Sequence, residues 1–182
     1  MIEGVIRTRV GYAGGQMEAP TYTHMGDHTE TVQVDYDPSR ISYSNLLDIF
    51  WKSHQPKKRS WSQQYMIAVF YHDENQRLQA EASKTTLAQK IGHKVKTKVV
   101  PLRSFTMAED YHQKYLLKGY DGLKNELVRI YPRHRDLVNS TAAARLNGYA
   151  GGHGNKDQLL REIQMLGLST EGKKTLAEFV RK

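Results

Sequence analysis

The side chains best suited to chemistry lie together in one polar loop near the start of the chain. Five titratable or phenolic residues fall within nine positions of one another: Tyr22, His24, Asp27, His28 and Glu30. A glycine-rich hinge at residues 11–15 precedes the loop, and residues 31–36 follow it with the alternating pattern of a half-buried strand. Loops held between regular elements often carry binding and catalytic groups. The pattern therefore predicts a binding or catalytic site in this stretch.

The imidazoles and carboxylates of this loop first suggest a metal site. His24, Asp27, His28 and Glu30 offer nitrogen and oxygen ligands at short spacing. Catalytic zinc sites usually show a more regular ligand pattern, and no further ligand cluster stands out elsewhere in the chain. We therefore expect no bound metal.

Acid and hydrogen-bonding roles are the other chemistry that these residues could perform. Glu30 could act as a general acid if its cleft is apolar, or could be a surface carboxylate paired with a cation. Tyr22 and Tyr65 could donate hydrogen bonds to a substrate oxygen, although most tyrosines are half-buried packing residues. The residues alone leave both interpretations open.

Composition excludes several classes of chemistry. The 182 residues contain no cysteine, which removes disulfides, thiolate ligands and any cysteine nucleophile. No apolar run approaches the roughly 20 residues of a membrane span, and the start of the chain does not resemble a signal peptide. We therefore expect a soluble protein of the cytoplasm.

The chain is basic, with a formal charge of +8 and a pI near 9.6. Its cations concentrate at residues 57–59 and 90–98, which raises weak nucleic-acid binding as an alternative function. No nucleic-acid motif accompanies these clusters, so a basic solvated surface is the favoured interpretation.

The elements that position the loop are predicted from periodicity and capping signals. Strands are expected at residues 2–10, 31–36, 65–71 and 95–99, the third being nearly all apolar and therefore central. Ser42 caps a first helix that ends by Pro56, Asp73 caps a second that stops at Gly92, and a third is expected at residues 107–117. This order predicts an α+β fold with helices on one face of a mainly antiparallel sheet. Residues 131–182 read as a helical extension packed on a main domain at residues 1–130.

Several separated motifs, taken in order, resemble the peptide methionine (S)-sulfoxide reductase family. They are GVIRTRVGYAGG, PTY, HTETVQVDYDPSRISYSNLLDIFWKSH, QQYMIAVFYH and AEDYHQKYL. The resemblance covers roughly residues 4–117 and implies a ferredoxin-like two-layer sandwich. It also implies an oxidoreductase of protein repair under oxidative stress, whose substrate is methionine (S)-sulfoxide, free or in proteins.

In that family a cysteine thiolate attacks the sulfoxide sulfur while the oxygen is protonated, and thioredoxin or another thiol finally restores the enzyme. No bound cofactor is implied. By motif matching, Glu30 corresponds to the proton donor, and Tyr22 and Tyr65 to the tyrosines that hold the sulfoxide oxygen. Apart from the motif match, we expect Gly14 and Gly15 to support the site and Trp61 to supply some aromatic wall.

The sequence departs from the family in two places. The Gly-Cys-Phe-Trp-Gly motif with the nucleophile is absent, so we expect an N-terminally shortened isoform that is inactive by itself. A non-catalytic methionine-sulfoxide-binding module is the alternative. The loop before Tyr65, with Lys57, Lys58 and Arg59, lacks the usual glycine and acidic residue. We further expect Val32, Val34, Ile67 and Val69 to share one sheet, with the helix at residues 43–51 packed on it and a groove beside it.

Overall fold

The computed structural model describes residues 1–180 and has an α+β fold. The strands are β1 (Val5–Ala13), β2 (Thr29–Tyr36), β3 (Ala68–Tyr71), β4 (Lys98–Pro101) and β5 (Phe105–Met107). The helices are α1 (Tyr43–Lys52), α2 (Glu74–Ile91), α3 (Asp121–Ile130), α4 (His134–Asn139), α5 (Thr141–Ala150), α6 (Lys156–Glu162) and α7 (Thr170–Phe179). Within residues 1–180, no helix combines the length and the apolar character needed to cross a bilayer.

The strands form two separate sheets. In the first, the order is β2-β1-β5, and β1 pairs antiparallel with β5 so that Gly11 lies opposite Met107. In the second, β3 and β4 are parallel, with Val69 opposite Val99. A parallel pair requires a crossover connection, and α2 supplies it. The prediction of one sheet shared by all four valine and isoleucine positions is therefore wrong, as is the central placement of the third strand.

Helix α1 begins as its sequence predicts, and it packs against α2 rather than on the single predicted sheet. The Ser42 hydroxyl accepts a hydrogen bond from the Asn45 N–H at 3.1 Å, which satisfies one of the free donors at the helix start. Leu47 and Trp51 are buried in a cluster with Ala80 and Val95. The helix ends at Lys52, before Pro56.

Helix α2 also follows its local signals. The Asp73 carboxylate accepts from the Gln76 N–H at 2.8 Å, and Gly92 ends the helix in the left-handed conformation at φ 64°. Because Gly92 carries no side chain, it adopts this conformation without steric cost. The predicted second helix is confirmed.

The helix expected at residues 107–117 is wrong. Strand β5 ends at Met107, and the Ala108 N–H extends the sheet with a hydrogen bond to the Val10 carbonyl at 3.1 Å. Turns follow, and Lys114 adopts a positive φ of 51°, which an α-helix does not allow. The buried Lys114 ammonium donates to the Thr8 carbonyl at 2.5 Å, a long-range contact that local periodicity does not reveal.

Two compact units make up the described chain. One contains residues 10–32 and 38–108 and holds every site residue that the sequence analysis named. The other contains residues 1–9, 33–37 and the chain from residue 109 onward. Its core is a leucine-rich cluster that includes Leu127, Leu146 and Leu176, each fully buried. The domain boundary expected at residue 130 stays a prediction.

Candidate functional site

Glu30, Tyr65 and Tyr22 lie together in one hydrogen-bonded cluster. The Glu30 N–H donates to the Gln64 carbonyl at 3.0 Å, which joins the start of β2 to the segment before β3. The Gln64 amide Nε2 donates to Glu30 Oε1 at 2.7 Å and to the Tyr65 hydroxyl at 3.2 Å. Tyr65 is also hydrogen-bonded to Tyr22. The structure therefore brings together the three side chains that the resemblance selected.

The phenol of Tyr65 is held in its protonated form. The nearby Glu30 carboxylate is the main cause of its raised pKa, and desolvation and the hydrogen bond to Tyr22 act in the same direction. Tyr65 therefore remains a hydrogen-bond donor at neutral pH. Its side chain is 40% exposed and that of Tyr22 is 42% exposed, so both phenols are accessible to a ligand.

Trp61 lies against the ring of Tyr65. The two ring centroids are 4.9 Å apart, and Trp61 is 82% exposed. Hydrogen bonds from the Tyr65 N–H to the Ser62 hydroxyl and from the Ile67 N–H to the Ser60 hydroxyl hold this loop in place. An open aromatic surface therefore adjoins the phenol of Tyr65.

The glycine turn, formed by the backbone at residues 14–17, is anchored by two residues of the polar loop. The Gln16 and Met17 N–H groups donate to the Asp27 carboxylate at 2.9 and 3.2 Å, and these bonds lower the pKa of Asp27. The Gly15 N–H donates to Nδ1 of the buried His28 at 3.3 Å. Nδ1 is therefore an acceptor, and Nε2 donates to the Met17 carbonyl at 2.9 Å. This pattern assigns the imidazole proton to Nε2.

Two glycines are required where this turn leaves β1. Gly14 has a φ of +84°, and a Cβ there would lie 2.7 Å from the Phe70 ring. A Cβ on Gly15 would lie 2.5 Å from both the Asp27 carboxylate and the His28 ring. The predicted hinge is shorter than expected, because residues 11–13 belong to β1.

The imidazole and carboxylate side chains of the loop each bond to different partners rather than to one another. Asp27 and His28 bond to backbone atoms of the glycine turn, and Glu30 bonds to Gln64. His24 takes part in a turn in which its N–H donates to the Thr21 hydroxyl at 3.2 Å. Across residues 1–180, the structure places no three His, Cys, Asp or Glu side chains where they could share a metal ion.

Gln64 is the member of the cluster that the sequence analysis missed. It occupies the centre of the hydrogen-bond arrangement, whereas the resemblance drew attention to the neighbouring tyrosine. The neighbouring Gln63 bonds elsewhere: its side-chain amide donates to the Asp27 carbonyl at 3.2 Å. The sequence signal that could have identified Gln64 is the pair of glutamines directly before Tyr65, because a side-chain amide can donate to a carboxylate and a hydroxyl at once.

Comparison with known proteins decides the family. The family model described as peptide methionine sulfoxide reductase matches residues 1–146. This chain belongs to the peptide methionine sulfoxide reductase family. Tyr22, Glu30, Trp61 and Tyr65 all lie within the matched residues. The family's model thus includes the whole of the hydrogen-bonded cluster.

Individual members of the reductase family are similar over much of the chain. A peptide methionine sulfoxide reductase of Drosophila melanogaster is 42% identical over 172 residues, covering 91% of this chain and 67% of the relative. That of Methanosarcina acetivorans is 43% identical and covers 72% of this chain and 75% of the relative. The solved structure of methionine sulfoxide reductase A of Corynebacterium diphtheriae is 32% identical, with a TM-score of 0.54, and covers 63% of this chain and 64% of that one.

Proposed function

We propose that this member of the reductase family recognises the sulfoxide group of methionine (S)-sulfoxide, free or within a protein. The observation that carries the proposal is the cluster in which Gln64 joins Glu30 to Tyr65 and Tyr65 bonds to Tyr22. The similarity to reductases supports the choice of substrate. The cluster supplies the polar groups that such a substrate needs.

The chemistry of a sulfoxide matches these groups. Its oxygen accepts hydrogen bonds strongly, and the exposed hydroxyls of Tyr22 and Tyr65 can donate to it. Glu30 can give a proton to the same oxygen when its carboxyl is protonated. The open face of Trp61 can contact the sulfur and the methyl group, since sulfur packs favourably against aromatic rings.

We propose further that the chain by itself binds the substrate without reducing it. Reduction of a sulfoxide to a thioether takes up two electrons and two protons and releases one water. In the family a cysteine thiolate attacks the sulfur and is left as sulfenic acid, which a second thiol converts to a disulfide. Thioredoxin or another thiol then reduces that disulfide. The 182 residues contain no thiol, so both the nucleophile and the reductant would have to come from outside these residues. A cytoplasmic location also remains a prediction.

Calorimetric titration with N-acetyl-L-methionine (S)-sulfoxide tests the binding proposal. We expect saturable binding that weakens about tenfold in Tyr65→Phe and in Tyr22→Phe, because each loses one hydrogen bond to the ligand. Tyr115→Phe is the matched control, since Tyr115 is 69% exposed and lies outside the cluster. Equal affinities in all three variants would place the binding site elsewhere.

A turnover assay tests the second part of the proposal. Protein of verified sequence is incubated with the (S)-sulfoxide and dithiothreitol, and the thioether is measured. We expect no product above the protein-free blank, because no sulfur nucleophile is present. Turnover above the blank would show that the chain reduces the sulfoxide by another route.

A further inference from the structure

A basic cleft lies in the unit that contains the C-terminal helices. Its volume is about 580 Å³, within the range of roughly 300–1,000 Å³ that small-molecule sites occupy. The residues that line it are Arg7, Tyr131, Arg133, Arg135, Asp136, Asn139, Ser140 and Thr141. Three of these carry guanidinium groups and one carries a carboxylate. The composition of the lining is therefore that of an anion site.

The three guanidinium groups keep donors free for a ligand. Arg7 pairs with Asp35 through Nε at 3.0 Å, and Arg133 pairs with Asp136 through Nε at 2.8 Å. The Arg135 side chain is exposed and, among residues 1–180, makes no ion pair or hydrogen bond. Arg7 and Arg133 thus contact their carboxylates through Nε rather than through the terminal nitrogens. A guanidinium presents these nitrogens as a planar fork that matches the oxygens of a phosphate.

The charges around the cleft do not cancel. Arg9, next to Arg7 on β1, donates to Asp35 at 3.0 Å and to Asn139 at 2.7 Å. The cluster therefore holds four guanidinium groups, on Arg7, Arg9, Arg133 and Arg135, against the carboxylates of Asp35 and Asp136. An excess of two positive charges remains. A phosphate monoester carries close to two negative charges at neutral pH, which would balance it.

We propose that this cleft binds the phosphate group of a small phosphate ester. Arg133 and Arg135 hold the phosphate oxygens, and Arg7 adds a third guanidinium group to the lining. Tyr131 gives the cleft an aromatic surface for the organic part of the ester. Asn139 and Ser140 contribute less, because Asn139 already accepts from Arg9 and the Ser140 hydroxyl caps α5 at the Ala143 N–H. This site is independent of the proposed sulfoxide site, whose residues all belong to the other compact unit.

Titration of the full chain with phenyl phosphate and with inorganic phosphate tests the proposal. We expect saturable binding of both, with phenyl phosphate the tighter ligand because its ring contacts Tyr131. Arg133→Gln and Arg135→Gln should each weaken binding about tenfold, since each removes charge-assisted hydrogen bonds. Arg129→Gln is the control, because Arg129 is an exposed arginine on α3 that does not line the cleft. Its affinity should equal that of the unaltered protein.

Three outcomes would overturn the proposal. The first is the absence of saturable phenyl phosphate binding at low salt. The second is an equal loss of affinity in Arg129→Gln, which would show nonspecific attraction to a basic surface. The third comes from a short single-stranded oligonucleotide: binding of this probe alone, lost in Arg135→Gln, would assign the cleft to a nucleic-acid backbone. Circular dichroism of each variant verifies that the fold is retained.

Discussion

Glu30 and Gln64 are joined twice, once through the backbone and once through their side chains. The Glu30 N–H donates to the Gln64 carbonyl at 3.0 Å, and Gln64 Nε2 donates to Glu30 Oε1 at 2.7 Å. The backbone bond fixes the separation of the two segments, and the amide bond orients the carboxyl group. Because the same amide reaches the Tyr65 hydroxyl, one residue positions both the Glu30 carboxyl group and the Tyr65 phenol.

The first prediction concerns this positioning role. Gln64→Leu keeps the approximate size of the side chain but removes both of its hydrogen bonds. We expect affinity for the (S)-sulfoxide to fall about five- to tenfold, since Glu30 loses the partner that orients it. Gln89→Leu, at an exposed position of α2, is the control and should leave affinity unchanged. Calorimetric titration measures both affinities. Equal affinity of the two variants would show that Gln64 has no role in binding the sulfoxide.

The second prediction concerns the titration of Tyr65. Its pKa is raised from the usual value near 10, and the Glu30 carboxylate is the main cause. Sulfoxide binding that depends on this phenol should therefore persist to pH 10 and be lost above it as the hydroxyl deprotonates. Glu30→Gln removes the charge and should return the pKa of Tyr65 toward 10. NMR of tyrosines labelled at Cζ measures the pKa of Tyr65 in the unaltered protein and in Glu30→Gln. An unchanged pKa in the variant would contradict the assignment of Glu30 as the main cause of the shift.

The third prediction concerns the anchor of the glycine turn. The pKa of Asp27 is lowered because its carboxylate accepts hydrogen bonds from the Gln16 and Met17 N–H groups. The ionised Asp27 carboxylate therefore stabilises the folded protein at pH values above its unfolded-state pKa near 3.8. This stabilisation is lost as the pH falls through the lower pKa that Asp27 has in the folded protein. Asp27→Asn should be less stable than the unaltered protein at neutral pH, and the difference should disappear in strong acid. Urea unfolding across pH measures it.

A matched control separates this effect from a general change of charge. Asp48 lies on the exposed part of α1, and Asp48→Asn should leave the acid part of the stability curve unaltered. If Asp27→Asn and Asp48→Asn behave alike at every pH, the anchor contributes nothing to stability.

The fourth prediction concerns the buried Lys114. Burial, with the charge of Arg9 as a smaller cause, lowers the pKa of its ammonium from 10.5 to about 8. Between pH 8 and pH 10.5 the unfolded chain binds more protons at Lys114 than the folded chain does, so the free energy of unfolding rises with pH. The full rise amounts to about 3 kcal/mol. Lys114→Met should abolish it, whereas Lys156→Met, at an exposed position, should retain it. A flat stability curve from pH 8 to 10.5 in the unaltered protein would contradict the account.

The sequence predicted well those features whose causes are local. Ser42 and Asp73 cap their helices, and β2 occupies the stretch that alternates apolar and polar residues. Each signal depends on neighbours within a few positions, so one sequence suffices to detect it. The same five letters, GYAGG, end a strand at residues 11–15 and a helix at residues 148–152. Local composition therefore marks a break in structure without saying which element it ends.

Features that depend on distant partners were not predictable in this way. The strand at Ala68–Tyr71 packs through Val69 against residues of α1 and α2, and its apolar run does not reveal that β4 is its partner. Lys114 interrupts the expected third helix, and its ammonium bonds to Thr8, 106 positions away. Within the site, the family resemblance selected Tyr22, Glu30 and Tyr65. Gln64 escaped attention because its role depends on a contact across 34 positions.

The central claim is that the cluster around Glu30 recognises methionine (S)-sulfoxide, and epimer-resolved NMR tests it most directly. Isotope-labelled protein is titrated separately with the (S) and (R) epimers of N-acetyl-L-methionine sulfoxide. Resonances of the Gln64 side-chain amide and of the Tyr22 and Tyr65 rings are followed. The account predicts saturable shifts at these resonances with the (S) epimer and much weaker ones with the (R) epimer. Identical responses to both epimers, or (S)-epimer shifts confined to other residues, would contradict it.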